Sequence, residues 1–561
     1  MNTTPFNDGT AQSLSEAYRR GDDQVAALFG SAHCKDIEAW SRRAARLDQG
    51  AGGRADRRRL GEALLDYQRR LSPSQSPLVL QHIQALAGEG ALAVVGGQQA
   101  GLFGGALLIA YKALTVVQAA KHASRSLGRT VVPVFWIAGE DHDFEEANHL
   151  YVSPGEGEPR KVKLGRPEGP RHAVSRTPLS AVDWEIALTE LALTLPDTEF
   201  KPNLLRQIRL YASDAPTLTL AFARLLSDWF ADDGLVLLDA DDPAIRRLEG
   251  GMFGELVTGS ERLSAALAAG EEAVKRLGYP IQAESAPDGA NLFVHAEQGR
   301  TLLFRQGDRF EDRKGGLSYD RSELLRMAAE RPDQLSNNAL SRPLMQDYLL
   351  PVLATVLGPS EIAYWASLGP SFAAFGLEMP VIVPRQSFTY LEPQVEKLLG
   401  RYGVSAEQIA ADGERLKRDW LAAQDTWDIG GRFAEVKARF GELYAPVLET
   451  VSQVDKGLVK LGESNLALIL EQIAYLEQRT NGALAGRHES SLRQWDRMLH
   501  SLRPLGQPQE RVYGIVHFIN RYGMGWLSAL RCIPFDVTGG HRLMVQQQAE
   551  PGGRHQEVCC S

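Results

Sequence analysis

Between Ala91 and His149 the chain carries two short apolar, β-branched-rich runs, Leu92 to Val95 and Val131 to Ile137, and each breaks off into residues suited to handling charge. The segment between them, from Gly105 to about Ala123, keeps apolar residues at helical spacing, so the unit reads β-α-β. In an open α/β sheet a ligand binds in the crevice beyond the carboxyl ends of the strands. Both polar clusters, Gly96 to Gly105 and Gly139 to His149, fall at such ends, and one crevice can receive both. A third strand-like run, GLVLLDADDP, also ends in carboxylates; LMQDYLLPVLATVLG reads as a helical stretch that leads into PSEIAYWASLGPSF, and MPVIVPRQSF returns the chain to a buried strand near Pro380 to Val383.

A length of 561 residues predicts three or four structural units. A net charge of −9 supplies no basic field for a polyanion, which sets nucleic acid aside. The longest strongly apolar window, Tyr348 to Leu357, is too short to span a bilayer, and MNTTPFNDGT lacks the pattern of a signal peptide. No membrane association and a cytoplasmic location are therefore expected. Cys34, Cys532, Cys559 and Cys560 form no CxxC pair, so neither a disulfide scaffold nor a cysteine zinc site is indicated.

The organisation read from these patterns has four parts. Residues 1–90 are an N-terminal helical lead-in with a Gly/Arg-rich turn, DQGAGGRADRRR. Residues 91–390 form the core, with an inserted antiparallel lobe at about 279–319. Residues 391–503 are a helical coiled-coil domain: Phe433, Phe440, Val447, Val454, Leu461, Leu468 and Tyr475 recur every seven residues, and Leu492, Trp495, Leu499 and Leu502 suggest the returning helix of a hairpin. Pro446 should kink or interrupt the first arm. Residues 504–561 return to the core, and the last twenty look loose.

Within the first cluster, Gly97, Gly101, Gly104 and Gly105 would let backbone approach a ligand, and the following helix offers amides to an anion. The spacing fits neither GxGxxG nor GxxxxGK[ST], so a turn packed on the sheet is the competing reading. Gln98 and Gln99 can read a polar ligand, and Lys112, two turns into the helix, either reaches a phosphate or snorkels. The second cluster places Glu140, Asp141, His142, Asp143, Glu145, Glu146 and His149 within ten residues. Such density shifts pKa values, and His142 is the candidate general base. A capped helix start explains part of it, with Asp141 or Asp143 as N-cap. A His142/Asp143/His149 metal site lacks the usual helical spacing, so no metal is assigned. Farther on, Asn338, Arg342, Glu361, Trp365 and Arg385 sit in apolar segments; the two arginines can hold a carboxylate or pair with Asp347 or Glu361.

Taken together, GGQQAGLFGGALLIAYK, PVFWIAGEDHDFEEANH, LSRPLMQDYLLPVL, GPSEIAYWASLGPSF, FGLEMPVIVPRQS and PQERVYG, in that order, resemble the bacillithiol biosynthesis cysteine-adding enzyme family, BshC. The resemblance implies an α/β, Rossmann-like core similar to class I aminoacyl-tRNA synthetases and nucleotidylyltransferases, with connecting insertions and a coiled coil that pairs two subunits. It implies a ligase that joins the cysteine carboxyl to the amine of glucosaminyl-malate, activated through an acyl-adenylate or acyl-phosphate, with ATP as nucleotide and room for Mg2+. On that reading Gly97 to Gly105 and Lys112 hold the nucleotide, and His142 with Asp141 or Asp143 deprotonates the amine. Trp136, Glu140, His149, Asn338, Arg342, Glu361, Trp365 and Arg385 line the cosubstrate sites, with Arg342 or Arg385 on the malate carboxylates. Two other readings remain: a nucleotidylyltransferase acting on another acid or phosphate, and a metabolite-binding coiled-coil dimer without turnover.

Overall fold

A computed structural model describes residues 1–6, 13–30, 33–50, 54–72, 75–155 and 157–546. Cys559, Cys560 and the centre of the Gly/Arg-rich turn, 51–53, lie outside the described residues. The chain forms two compact units, one of Met1–Leu391 joined by the chain from Pro504 onward, the other Glu392–Arg503.

In the first unit five parallel strands build the core sheet: β1 (Leu92–Gln98), β2 (Val131–Ile137), β3 (Val236–Asp239), β4 (Val352–Leu357) and β5 (Val381–Pro384). Their order is β5-β4-β1-β2-β3, so the chain moves outward from β1 and then returns to its other side. That reversal makes a switch point between β1 and β4, the place where open α/β sheets form their ligand crevice. Side chains alternate between two apolar clusters: Ala93, Val95, Val132, Val134 and Val236 face Leu60, Leu64, Val79 and Ile83, while Leu92, Val94, Phe135 and Leu237 face the opposite layer. This period of two, buried on both sides, is what a sheet with helices on each face requires.

Four helices position the site: α1 (Leu107–Leu127), α2 (Pro243–Thr258), α3 (Arg342–Leu349) and α4 (Pro359–Trp365). Helix α1 follows β1, is buried along most of its length, and stops at Gly128 in the left-handed region with φ 63°. The inserted lobe is an antiparallel sheet of Gly289–Ala296, Gly299–Gln306, Arg309–Glu311 and Ser318–Asp320, completed by Leu335–Asn337 beside Gly289–Ala296. That last strand lies beyond the 279–319 span because three residues are too few to print a periodic signal.

The last twenty residues are not uniformly loose. Gly540–Val545 is a strand, parallel to Gln386–Leu391 and antiparallel to Asn2–Pro5, so both ends of the described chain are tied together. Backbone pairing, rather than apolar patterning, orders it.

The second unit corrects the heptad reading. Helices α5 (Ile429–Val454) and α6 (Val459–Arg487) form the antiparallel hairpin, bridged by Lys437 to Glu477 at 2.7 Å and Tyr444 to Asn465 at 2.6 Å. The run of sevens therefore crosses a turn at Lys456–Leu458, and Leu461 to Tyr475 already lie on the returning arm. Glu489–Leu502 is a further helix whose Trp495 meets Tyr402 and Trp420 at ring distances of 5.1 and 6.2 Å. Pro446 does not interrupt α5, which runs on through it. Among the described residues no helix is long and apolar enough to cross a membrane.

Candidate active site at the switch-point crevice

The carboxyl ends of β1 and β4 are joined by Lys112. Its ammonium, almost fully buried, donates to the Gly97 carbonyl at 2.7 Å, to Gln98 Oε1 at 2.9 Å and to Glu361 Oε2. Glu361 Oε2 also accepts the Gly358 amide at 2.7 Å, closing the first turn of α4. An ammonium has three donors, and all three are spent inside the protein. Burial lowers the Lys112 pKa while Glu361 restores part of it. The expected phosphate contact from Lys112 is thus corrected to a clamp that ties β1 to α4, and Gln98 and Glu361 belong to the same clamp.

The glycine loop is packed by its own chain. A Cβ on Gly101 would lie 2.6 Å from Gly105 Cα, one on Gly104 2.4 Å from the Trp229 ring, and one on Gly105 2.6 Å from Ile109 Cδ1. Gly104 and Gly105 also need positive φ, 93° and 67°. At the start of α1 the Leu107 amide donates to the Tyr513 carbonyl at 2.9 Å, and Gly105 O accepts the Ile515 amide at 3.1 Å. The segment after the second unit therefore occupies the place where an anion cradle was expected, and Gly101, Gly104 and Gly105 are corrected to packing positions. Gly97 is confined by Trp136, whose carbonyl would lie 2.9 Å from an added Cβ. Gln99 differs: its Oε1 accepts the Ala100 amide, but its buried Nε2 has no partner among the described residues. An orphan donor at the end of β1 suits an anionic or carbonyl oxygen.

Beyond β2 the acidic turn divides between structure and crevice. Glu140 is buried against Arg246 of α2, which also holds Glu249 at 2.6 Å and lies 3.5 Å from Asp241. Arg176 grips Asp241 with two bonds of 2.7 Å, and Ser175 donates to the same carboxylate at 2.5 Å. Burial would raise Asp241, but Arg176 and Arg246 hold it near 2. Asp239, at the end of β3, is pushed up to about 8 by burial and then by the charge of Asp241. A Cβ on Gly139 would lie 2.2 Å from Asp239 Oδ1, so the turn rests directly on this carboxyl.

Asp141 and His142 lie at the edge of that network, each partly exposed. Asp141 Oδ1 accepts the His142 amide at 2.7 Å and lies 3.5 Å from Arg300 Nη1. Against burial, His142 and Arg300 hold the Asp141 carboxyl below its usual range. His142 Nδ1 lies 3.1 Å from Arg300 Nη1. Asp143 caps the short helix Phe144–Ala147, accepting the Glu146 amide at 3.1 Å. Asp143 is thus the N-cap of the capped-helix reading, while Asp141 and His142 stand outside that helix.

The remaining candidates scatter. Trp136 and Trp365 are fully buried core residues, Trp365 against Phe372 at 5.8 Å. His149 Nδ1 meets the Glu145 carbonyl at 2.9 Å on a hairpin strand paired with Arg160–Lys163. Asn338 Nδ2 donates to Asn291 at 2.8 Å while its Oδ1 accepts the Leu340 and Ser341 amides, holding the turn before α3. Arg385 is locked bidentately to buried Glu510 at 2.9 and 2.6 Å, so its expected substrate carboxylate is replaced by an internal one. Asp347 pairs with Arg43 of the N-terminal helix Ile37–Asp48 and with Arg54 of the loop after it, rather than with Arg342 or Arg385. Arg342 alone keeps capacity. It donates to Gln346 at 2.9 Å and weakly to Tyr364 at 3.4 Å, has no carboxylate within 4.0 Å among the described residues, and shares its surroundings with Glu140 and Glu361. Among the described residues no group of three or more His, Cys, Asp and Glu side chains is arranged to hold a metal ion.

Sequence reasoning missed Arg300, Arg246 and Arg176. Arg246 had a signal, since it opens the helix after the carboxylate-ended third strand. Arg300 and Arg176 had none, because each reaches the site from a distant insertion.

Residues 1–386 match the N-terminal Rossmann-like domain of the bacillithiol biosynthesis BshC family, and residues 388–546 match its C-terminal coiled-coil domain. Three relatives carry the name "Putative cysteine ligase BshC". That of Geobacillus thermodenitrificans is 37% identical over 534 residues, covering 95% of this chain and 97% of the relative. That of Geobacillus kaustophilus is 36% identical over 95% and 98% of the two chains. That of Bacillus licheniformis is 34% identical over 97% and 100%. With both domains matched in order, and with the parallel sheet and helical hairpin those domains require, the chain belongs to the BshC family of bacillithiol biosynthesis.

Proposed function

We propose that this chain is a ligase that adds cysteine to glucosaminyl-malate, with ATP as the activating cosubstrate and Mg2+ accompanying it. The cysteine carboxylate attacks a phosphorus of ATP, giving an acyl-adenylate with loss of pyrophosphate or an acyl-phosphate with loss of ADP. The sugar amine then attacks the acyl carbon; the C–N bond forms, the C–O bond to phosphorus breaks, AMP or phosphate leaves, and the amine gives up a proton. Relatives named for this activity along nearly their whole length support the assignment.

The observation that carries it is an arginine, Arg342, that has no carboxylate within 4.0 Å among the described residues yet lies within electrostatic reach of Glu140, the residue before the partly exposed Asp141–His142 turn. A guanidinium with spare donors suits a malate carboxylate or a phosphate, and Gln99 Nε2 offers a further donor to an oxyanion. The acidic turn is where the amine proton leaves. We also assign a homodimer to the coiled coil, on the exposed apolar face described in the Discussion.

The test is to incubate purified protein with cysteine and glucosaminyl-malate, with and without ATP and magnesium, and look for the bacillithiol mass. Product only with ATP is expected. Product without ATP overturns the activation step, and no product under any condition overturns the ligase. Arg342→Ala should raise KM for glucosaminyl-malate at least tenfold; an unchanged KM removes Arg342 from that site.

A further inference from the structure

His142 lies beside a group that cannot accept a hydrogen bond. Arg300, on the second strand of the inserted lobe, places Nη1 3.1 Å from His142 Nδ1. The guanidinium is held from every side: Nε donates to Ser336 Oγ at 3.0 Å, Nη2 donates to the Asn337 carbonyl, and its plane lies 3.8 Å over the Phe293 ring. Only 5% of the Arg300 side chain is exposed, so it has little freedom to turn away. Guanidinium has five donors, no acceptor, and does not give up its proton in proteins. Its contact with Nδ1 therefore uses the Nδ1 lone pair. In a neutral imidazole the proton then sits on Nε2, and the ring has no lone pair left for an incoming amine. Asp141 Oδ1, 3.5 Å from the same Nδ1, would favour the opposite tautomer, but that separation is beyond a normal hydrogen bond while Arg300 Nη1 stands at 3.1 Å.

We propose that Arg300 is a positioning residue that holds His142 in its Nε2–H form, so that His142 donates a hydrogen bond to an anionic oxygen of the activated acyl group instead of acting as the base. This rests on reading the crevice as the acyl-activating site, although the tautomer itself does not. Arg300 thereby makes the inserted lobe part of the active site: the lobe sets the chemical form of a side chain presented by the core sheet. The amine proton then leaves through the carboxylates of the acidic turn.

Two measurements test it. Solid-state 15N spectra of histidine-labelled protein, with the His142 signals assigned by subtraction of His142→Gln, should show a protonated Nε2 and an unprotonated Nδ1 at pH 7.5. Arg300→Met, or Arg300→Gln if the former does not fold, should lose that preference. A protonated Nδ1 in the wild type, or an unchanged tautomer in a folded Arg300 variant, overturns the proposal whether or not the ligase reaction is found. For turnover, glutamine carries an N–H donor near the position of Nε2 but no basic lone pair. His142→Gln should therefore keep at least tenfold more activity than His142→Ala, and equal loss in both would restore the base.

Discussion

At the scale of single residues, the crevice is governed by how buried charges are paired. Arg246 neutralises Glu140, Glu249 and Asp241 from one point, fully buried. Replacing it with methionine keeps the apolar stem but strands Glu140 and Glu249 and leaves Asp241 to Arg176 and Ser175, so Arg246→Met should cost about 3–5 kcal/mol in denaturant unfolding. A loss under about 1 kcal/mol would show the network to be dispensable. Asp239 makes a pH prediction. Its carboxyl titrates near 8 in the folded chain and at about 3.9 when unfolded, so between those values the native state binds a proton the unfolded state does not. Its contribution is full below about pH 4 and is lost as the pH rises through about 8, at no more than about 1.4 kcal/mol per unit. Asp239→Asn keeps an acceptor for the Asp241 amide and does not titrate. The variant's Tm should therefore gain on the wild type between pH 5 and 8, and parallel curves would place Asp239 in the ordinary carboxylate range.

At the scale of elements, the clamp of Lys112 explains how α1, β1 and α4 keep one geometry around the switch point. Lys112→Ala removes three hydrogen bonds and leaves Glu361 facing an apolar gap. Because Glu361 is still 23% exposed, the loss should be about 2–3 kcal/mol, below that of a fully buried pair. It should appear as a lower unfolding midpoint without any ligand; an unchanged midpoint would return Lys112 to ligand binding. Here the residues were readable and their partners were not. Gln98, Lys112 and Glu361 were all singled out from the chain, yet 249 residues separate the lysine from its carboxylate. The glycine loop shows the same limit: its backbone freedom is legible in its composition, but Trp229 and Tyr513–Ile515, which use that freedom, come from far along the chain.

At the scale of the whole molecule, the second unit shows an unmatched apolar face. Phe433, Phe440 and Leu448 turn half-buried toward the hairpin partner, while Val436, Leu443, Val447 and Val454 on α5 and Leu461, Leu468, Tyr475 and Leu476 on α6 remain exposed. Two antiparallel helices bury one seam between them, and a second stripe at helical spacing is what another copy would cover. Leu443→Glu with Leu468→Glu should convert a dimer to a monomer in sedimentation while leaving helix content intact; a wild-type monomer at micromolar concentration would refute the pairing. The sequence alone determined the parallel α/β core, four of its five strands and the presence of a helical hairpin, because period-two and helical patterns are local and survive without knowing what covers them; it read the central strand Val352–Leu357 as helix, since a run buried on both faces carries no alternation to tell the two apart. It also placed Asp141 and His142 beyond the carboxyl end of a strand and Arg342 in an apolar segment. Only the tertiary structure decided which polar residues stay free. Burial obliges each charge to find a partner, and Arg300 and Glu510 reach theirs across the fold from an inserted lobe and a late segment that carry no local mark of it.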